Sequence, residues 1–301
     1  MLAACRSFLD QKGVIEVDCP ALSPFASVDL HIDLIPAAYL DQEKRYLHTS
    51  PEFGMKRLLA EGIGDIYQLS HVFRDGECGS RHNPEFMMLE WYRMGMHFDE
   101  MIRETTDLVK VFLGEIPCEE ITYREAFKKY AGIDYLHATQ RDLIELIKSS
   151  GEPVHDGIEL DDKDTLLDII LERRVEPQFD RSCVTILKYY PASQSALSRT
   201  KQIGEESVSE RFEIYYKGLE LANGYHELTD YKEQAKRFER SNQQRFALGK
   251  PQLPPDERLI EALKKGVPDC CGVAVGFDRL MMLRHETLSI SDVLPFAWNE
   301  A

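Results

Sequence analysis

The chain reads as blocks of alternating positions set between blocks of helical spacing. "IYQLSHVFRD" (66–75) and "PEFMMLEWYRM" (84–94) alternate side to side around a glycine-rich turn. "RFEIYY", Lys217-Gly218 and "LELANGYHEL" repeat that pattern around a two-residue turn, which predicts a hairpin. "ACRSFLDQKG" predicts a helix ending at Gly13, and "VIEVDCP" a strand ending at Pro20. "TSPEFGMKRLLAEG" predicts a helix with Ser50 as N-cap, Pro51 at the first helical position and Gly62 closing it. Further helices are expected over 99–113 and about 229–248. "YREAFKKYAG", "TQRDLIELIKSSG" and "DTLLDIILERRVEP" predict a helical insert at about 123–180. "CVTILKYYPAS" returns to strand, and "CCGVAVGFDRLMMLRH" predicts a strand, a glycine and a helix. Hairpin-paired strands with helices between them argue α+β, an antiparallel β-sheet flanked by helices, in a single domain 1–301 carrying the insert.

The alternation also sorts side chains by face. Phe86, Met88, Glu90 and Tyr92 share one face of their strand; Glu85, Met87, Leu89 and Trp91 share the other. The first face suits a polar ligand with an aromatic base, or equally a strand beside solvent. Arg74 closes the preceding strand while Arg81 and His82 open the return. Cations at both ends of a turn can grip a polyanion, or can be ordinary loop charge. In the second hairpin the two-residue turn pairs Tyr216 with Leu219. That makes Glu213 and Glu220 diagonal neighbours on one face, roughly 7–8 Å apart at the backbone. Such a pair can converge on a hard cation such as Mg²⁺, or can be two exposed acids. Asn223, Tyr225 and Glu227 have the opposite parity to Glu220, so a common pocket requires a bulge near Ala222–Gly224. In "GVAVGFDRL", Gly272, Ala274 and Gly276 form a row of small residues with room for a ligand against the backbone. Arg279 then falls in the first helical turn, where a cation opposes the helix dipole unless an anion lies near.

The 301 residues are 43% hydrophobic, enough for a sizeable core, and the net charge is −16. A surface that acidic repels nucleic acid at long range, and no Lys/Arg-rich run offsets it. No apolar run approaches the roughly 20 residues that span a bilayer. Seven cysteines without C-x-x-C spacing, two of them adjacent, predict reduced thiols and a cytoplasmic setting.

Taken in order, these segments resemble the catalytic domain of class II aminoacyl-tRNA synthetases, the lysyl type above all. "VIEVDCP" looks like motif 1, "FRDGECGSRHNPEF" like motif 2 and "GVAVGFDRL" like motif 3, and "SPEFGMKRLL" and "LELANGYHELTD" extend the likeness over essentially the whole chain. Because the motif 1-like segment starts at Val14, no anticodon-binding domain is expected. "HTSPEFGMKRLL", "NPEFMMLEWYR", "YYPASQSAL" and "ELANGYHELTD" look more like a stand-alone paralogue of the lysyl enzyme, one that joins (R)-β-lysine to a lysine of elongation factor P.

The resemblance implies ATP as co-substrate, Mg²⁺ as cofactor and a diamino acid as substrate. Arg74 would bind the α-phosphate and Arg279 the γ-phosphate, as the two catalytic arginines. Phe86 would stack on adenine with Arg279 over its other face. Asp75, Gly76, Glu77, Arg81, His82, Asn83, Glu220, Leu221 and Gly276 would complete the nucleotide site. Glu213 and Glu220 would hold the metal. Glu52, with Ser50 beside it, would receive one amino group. Glu90, Tyr92 and Glu227 would receive the distal ammonium, with Asn223, Tyr225 and Ala274 lining the pocket. Three carboxylates suit two ammonium groups, since a monoamino acid would leave buried charge unpaired. In two places the chain departs from the lysyl synthetases. Gly76 stands where the family has a glutamate two residues after the motif 2 arginine, with Glu77 following. Ala274 replaces a glycine, as is typical of the paralogue. The implied acceptor is elongation factor P, with tRNA disfavoured by charge, and the implied assembly is a homodimer. A truncated lysyl-tRNA synthetase, a free amino-acid amide ligase and a catalytically dead regulatory paralogue are the alternatives.

Overall fold

Alternation along the strand Glu85–Met94 organises the first of two compact units, formed by Met1–Glu115 with Gly224–Ala301. The computed structural model describes all residues except 31, 41, 42, 152, 155, 156 and 159–161; part of the expected helical insert therefore lies outside the described residues. On one face of the strand Leu89 and Trp91 are buried, and the Trp91 indole N–H donates to Glu104 of helix Phe98–Leu113 at 3.0 Å. The other face carries Met88, Glu90 and Tyr92, also buried. Ile66–Phe73 pairs antiparallel on one side, with Gln68 opposite Glu90 and Val72 opposite Phe86. Cys270–Gly276 pairs antiparallel on the other, with Gly272 opposite Tyr92, Ala274 opposite Glu90 and Gly276 opposite Met88. The small-residue row and the Phe86–Tyr92 row therefore lie on one face.

The strand expected to end at Pro20 shrinks to Ile15–Glu16, parallel to Ile66–Phe73. The Val17 N–H still donates to Tyr67 O at 2.8 Å, and beyond it the ladder passes to a side chain: the Cys19 N–H donates to Gln68 Oε1 at 2.7 Å. Helix Phe277–Arg284 follows its strand directly, and its Asp278 accepts the Met87 N–H at 2.7 Å, tying helix to sheet. The long polar helix spans Tyr231–Ala247, with Asp230 accepting the Lys232 and Glu233 N–H groups. A small sheet of Leu22–Ser23, Glu43–Leu47 and Pro36–Tyr39, and helix Glu257–Lys265, have no counterpart in the sequence expectation. The small strands are short and largely exposed, so they give no alternating signal.

The second unit is Ile116–Asn223. Cys118–Thr122 runs parallel to Val184–Lys188, which pairs antiparallel with Arg211–Tyr216. The hairpin turns at Lys217 (φ 51°) and Gly218 (φ 81°), both left-handed as a two-residue hairpin turn demands, and the chain continues as Leu219–His226. Helices start at Tyr123, Gln140 and Lys163, capped by Thr122, Thr139 and Asp162. Their apolar faces enclose a core of Tyr123, Phe127, Tyr135, Leu143, Leu167 and Tyr190. The fold is thus α+β with a mainly antiparallel sheet. The two parallel pairings lie outside the hairpins, where alternation carries no information on direction.

Candidate active site

Helix Glu52–Ala60 starts with a side chain that serves two purposes. Ser50 Oγ accepts the Glu52 N–H at 2.9 Å, capping the helix, and its hydroxyl donates to Glu90 Oε2 at 2.6 Å. The second oxygen of Glu90 accepts the Tyr92 hydroxyl at 2.6 Å. Glu90 is nonetheless pushed up to about 8, first by loss of hydration and then by repulsion from Glu52. Glu227 is also buried and is pushed up to about 7 by burial, against the pull of Lys56. Lys56, one turn along the helix from Glu52, closes the pocket: its Nζ lies 2.5 Å from Glu52 Oε1 and 2.6 Å from Glu227 Oε2. Gly272 is what lets these groups meet. A Cβ there would clash with Tyr92 Cε1 and stand 2.5 Å from Glu227 Oε1. The expected space above the small-residue row is therefore filled at Gly272 by the protein's own side chains. At Gly276 the nearest atoms a Cβ would meet belong to the Arg279 side chain, at 3.6 Å and beyond. Ala274 is half-buried opposite Glu90, and Tyr225 is half-buried one residue past Gly224.

The turn between the first two long strands is held closed at its base. The Arg74 N–H donates to Pro84 O at 2.9 Å, and Gly79 bridges His82. Gly76 sits at φ 76°, a left-handed position that disfavours the family's glutamate, and Glu77 turns back to within 3.7 Å of Arg74. The Arg74 guanidinium lies 5.1 Å from the centroid of Phe86, so Arg74 covers that ring in this structure. Arg279 donates to His82 Nε2 at 2.8 Å, which requires that nitrogen to be unprotonated. Asp75 donates its N–H to Asp33 O, and Asp75 and Arg81 are exposed. Asn83 is buried and its carboxamide is committed at both ends, Nδ2 to Glu85 O at 2.6 Å and Oδ1 from the Trp298 N–H at 3.0 Å. With the Ile290 N–H on Ser80 O at 2.8 Å, the C-terminal segment is fastened to the arginine turn at two points.

In the second unit, Glu213 is saturated. Arg211 at 2.5 Å and Asn223 at 3.1 Å donate to Oε1, and the Tyr190 and Tyr215 hydroxyls donate to Oε2. A carboxylate has about four lone-pair directions, and all are taken. As it stands, Glu213 does not fit a divalent cation as a direct ligand; a cation would have to replace one of these donors. Glu220 is half-buried, and Leu221 and Ala222 are consecutively buried before half-buried Asn223. From there the Asn223 carboxamide reaches Glu213.

Sequence reasoning missed Lys56, Asp278 and Glu176. Glu176 Oε1 lies 3.4 Å from the Tyr215 hydroxyl oxygen, whose proton goes to Glu213, and Glu176 is pushed up to about 7 by burial, then by Glu213 and Glu220. Lys56 carried a signal that went unused: it stands four residues after Glu52, on the same helical face. Among the described residues no helix is long and apolar enough to cross a membrane, and none of the seven cysteines is paired.

A family model described as tRNA synthetases class II (D, K and N) matches residues 1–300. Curated relatives named elongation factor P–(R)-β-lysine ligase align along nearly the whole chain. That of Haemophilus influenzae (strain PittGG) is 44% identical, covering 100% of this chain and 94% of the relative. Those of Actinobacillus succinogenes and Photorhabdus laumondii are 46% and 43% identical, covering 98% and 100% of this chain and 92% and 94% of theirs. The chain therefore belongs to the class II tRNA synthetase family of the D, K and N type, in the branch of the elongation factor P–(R)-β-lysine ligases.

Proposed function

We propose that this protein is an ATP-dependent ligase that activates (R)-β-lysine, or lysine, as an aminoacyl-adenylate and transfers it to the ε-amine of a lysine on elongation factor P. The observation that carries the reading is the cluster of half-buried Glu52 and buried Glu90 and Glu227 with the Ser50 and Tyr92 hydroxyls, in the same unit as Arg74, Phe86, His82 and Arg279. Acids so far out of water need cations, and a diamino acid brings two. The near-full-length likeness to enzymes named for this reaction supports the same reading.

In the first step a carboxylate oxygen of the amino acid attacks the α-phosphorus of ATP. A new P–O bond forms, the α–β bridging bond breaks, and pyrophosphate leaves with its electrons. No protein nucleophile is needed. Arg74 is assigned to the α-phosphate and Arg279 to the γ-phosphate, where their charge offsets what builds up in the transition state. On this reading Arg74 leaves Phe86 to adenine when nucleotide arrives, and His82, Asp75, Gly76, Glu77, Arg81 and Gly276 surround it. Asn83 acts by holding the turn. Glu52 with Ser50 takes one amino group; Glu90, Tyr92 and Glu227 take the distal ammonium, beside Tyr225 and Ala274. Glu220, with Glu213 once a donor has left it, is assigned to Mg²⁺, and no step is routed through the metal. In the second step the acceptor amine attacks the acyl carbon, an amide forms, AMP leaves, and the amine gives up a proton. The acidic surface suits a protein acceptor better than tRNA. A homodimer in the cytoplasm completes the reading.

ATP–pyrophosphate exchange with lysine and (R)-β-lysine, followed by transfer assays, tests this. Exchange with either, and transfer to elongation factor P, are expected. Absence of exchange with both, or transfer to tRNA with none to elongation factor P, overturns it.

A further inference from the structure

Among the described residues, three acids and one lysine meet at the amino-acid pocket. Lys56 is 1% exposed, as is Glu227, and Glu52 is 14% exposed. Burial works against the Lys56 charge, but Glu227 and Glu52 together outweigh it, so the ammonium stays protonated. A lone structural lysine in a helix would reach for solvent with its long stem. This one is turned inward to bind the two acids assigned to opposite ends of the substrate. Among the described residues no cation is paired with Glu90; its oxygens rest on two neutral hydroxyls.

We propose that Lys56 is a specificity-determining residue: it takes the place of one cation among Glu52, Glu90 and Glu227, leaving a pocket matched to a substrate with two ammonium groups. It also sets where Glu52 and Glu227 stand, because one Nζ bridges both. This rests on the reading of the pocket as a diamino-acid site and adds to it the residue that fixes the charge count. With three bare acids, a substrate bearing two ammoniums would leave one carboxylate buried and unpaired, a costly state.

The test is Lys56→Ala, which removes the propylammonium end of the side chain, assayed by amino-acid-dependent ATP–pyrophosphate exchange with and without added propylammonium. The expected result is a KM for the diamino acid raised on the order of tenfold or more, with a smaller change in kcat. Propylammonium should restore the KM and 1-propanol should not. A folded Lys56→Ala variant with unchanged KM, or a raised KM that propylammonium leaves in place, overturns the inference. Should Lys56→Ala fail to fold, Lys56→Met keeps the bulk of the side chain without its charge and should fold with the same raised KM; a folded Lys56→Met with an unchanged KM overturns the inference equally. Wild-type protein lacking exchange with any diamino acid would instead bring down the reading of the pocket itself. With an active wild type, the stated variant outcomes concern Lys56 alone.

Discussion

The Ser50 hydroxyl donates to Glu90 at 2.6 Å while accepting the backbone N–H of Glu52 at 2.9 Å, so one side chain caps a helix and steadies an ionisable group at once. Ser50→Ala removes both bonds. Loss of the cap costs about 1 kcal/mol of stability. Loss of the donor raises Glu90 further, since ionised Glu90 loses a stabilising bond while burial and Glu52 still act on it. The KM for the diamino acid should therefore rise at neutral pH and approach the wild-type value above about pH 8, where Glu90 ionises in the parent protein. A KM ratio flat across pH 6.5 to about 9 would refute that role for Ser50.

Glu90 and Glu227 also bear on stability. Both bind protons more tightly folded than unfolded, so their contribution is full below the ordinary carboxylate range and is lost as pH rises through about 7 for Glu227 and about 8 for Glu90. Glu90→Gln should be less sensitive to that rise than the wild type, read from urea midpoints at several pH values. Equal slopes would contradict the assignment.

Gly272→Ala should destabilise the protein by about 1–3 kcal/mol, because the new methyl meets the Tyr92 ring and a Glu227 oxygen that are themselves packed. Gly276→Ala, whose nearest neighbour is the Arg279 stem at 3.6 Å, should cost less. Thermal melts of the two variants make the comparison; equal losses would show that Tyr92 can move aside.

Ala274 lies opposite Glu90 across the strand pair. Removing its methyl should let the α-carbon end of lysine sit lower, moving preference toward α-lysine in Ala274→Gly. The ratio of kcat/KM for the two lysines measures this, and an unchanged ratio ends the argument.

Glu213 and Glu220 should separate under substitution. Glu213→Gln disturbs four donors in a buried site and should cost about 2 kcal/mol or more. Glu220→Gln should cost about 1 kcal/mol or less, yet weaken Mg²⁺-dependent binding of a non-hydrolysable ATP analogue more. Calorimetric titration beside a melting curve distinguishes the two; the reverse pattern would make Glu213 the principal metal ligand.

Much of the pocket was legible because a strand has a period of two. Phe86, Glu90 and Tyr92 had to share a face, and the two-residue turn at Lys217-Gly218 set the second hairpin. What escaped was chemistry hidden by an ordinary local pattern. Lys56 in "FGMKRLL" reads as a solvent-facing helical lysine, and only its tertiary partner Glu227 reveals otherwise. Asp278 reads as a favourable acid at a helix start, though the Met87 N–H it accepts lies on another strand. The saturation of Glu213 depends on Tyr190, whose register with the hairpin no local spacing encodes.

The C-terminal segment is fastened to the arginine turn by the backbone N–H groups of Ile290 and Trp298. Amides are common to every residue except proline. The path of that segment can thus be kept while its lettering drifts, and exposed Leu288, Phe296 and Trp298 are open to replacement. Proline at 290 or 298 is the exception: it would unbuckle the segment and loosen the turn that carries Arg74, at a distance in sequence of more than two hundred residues.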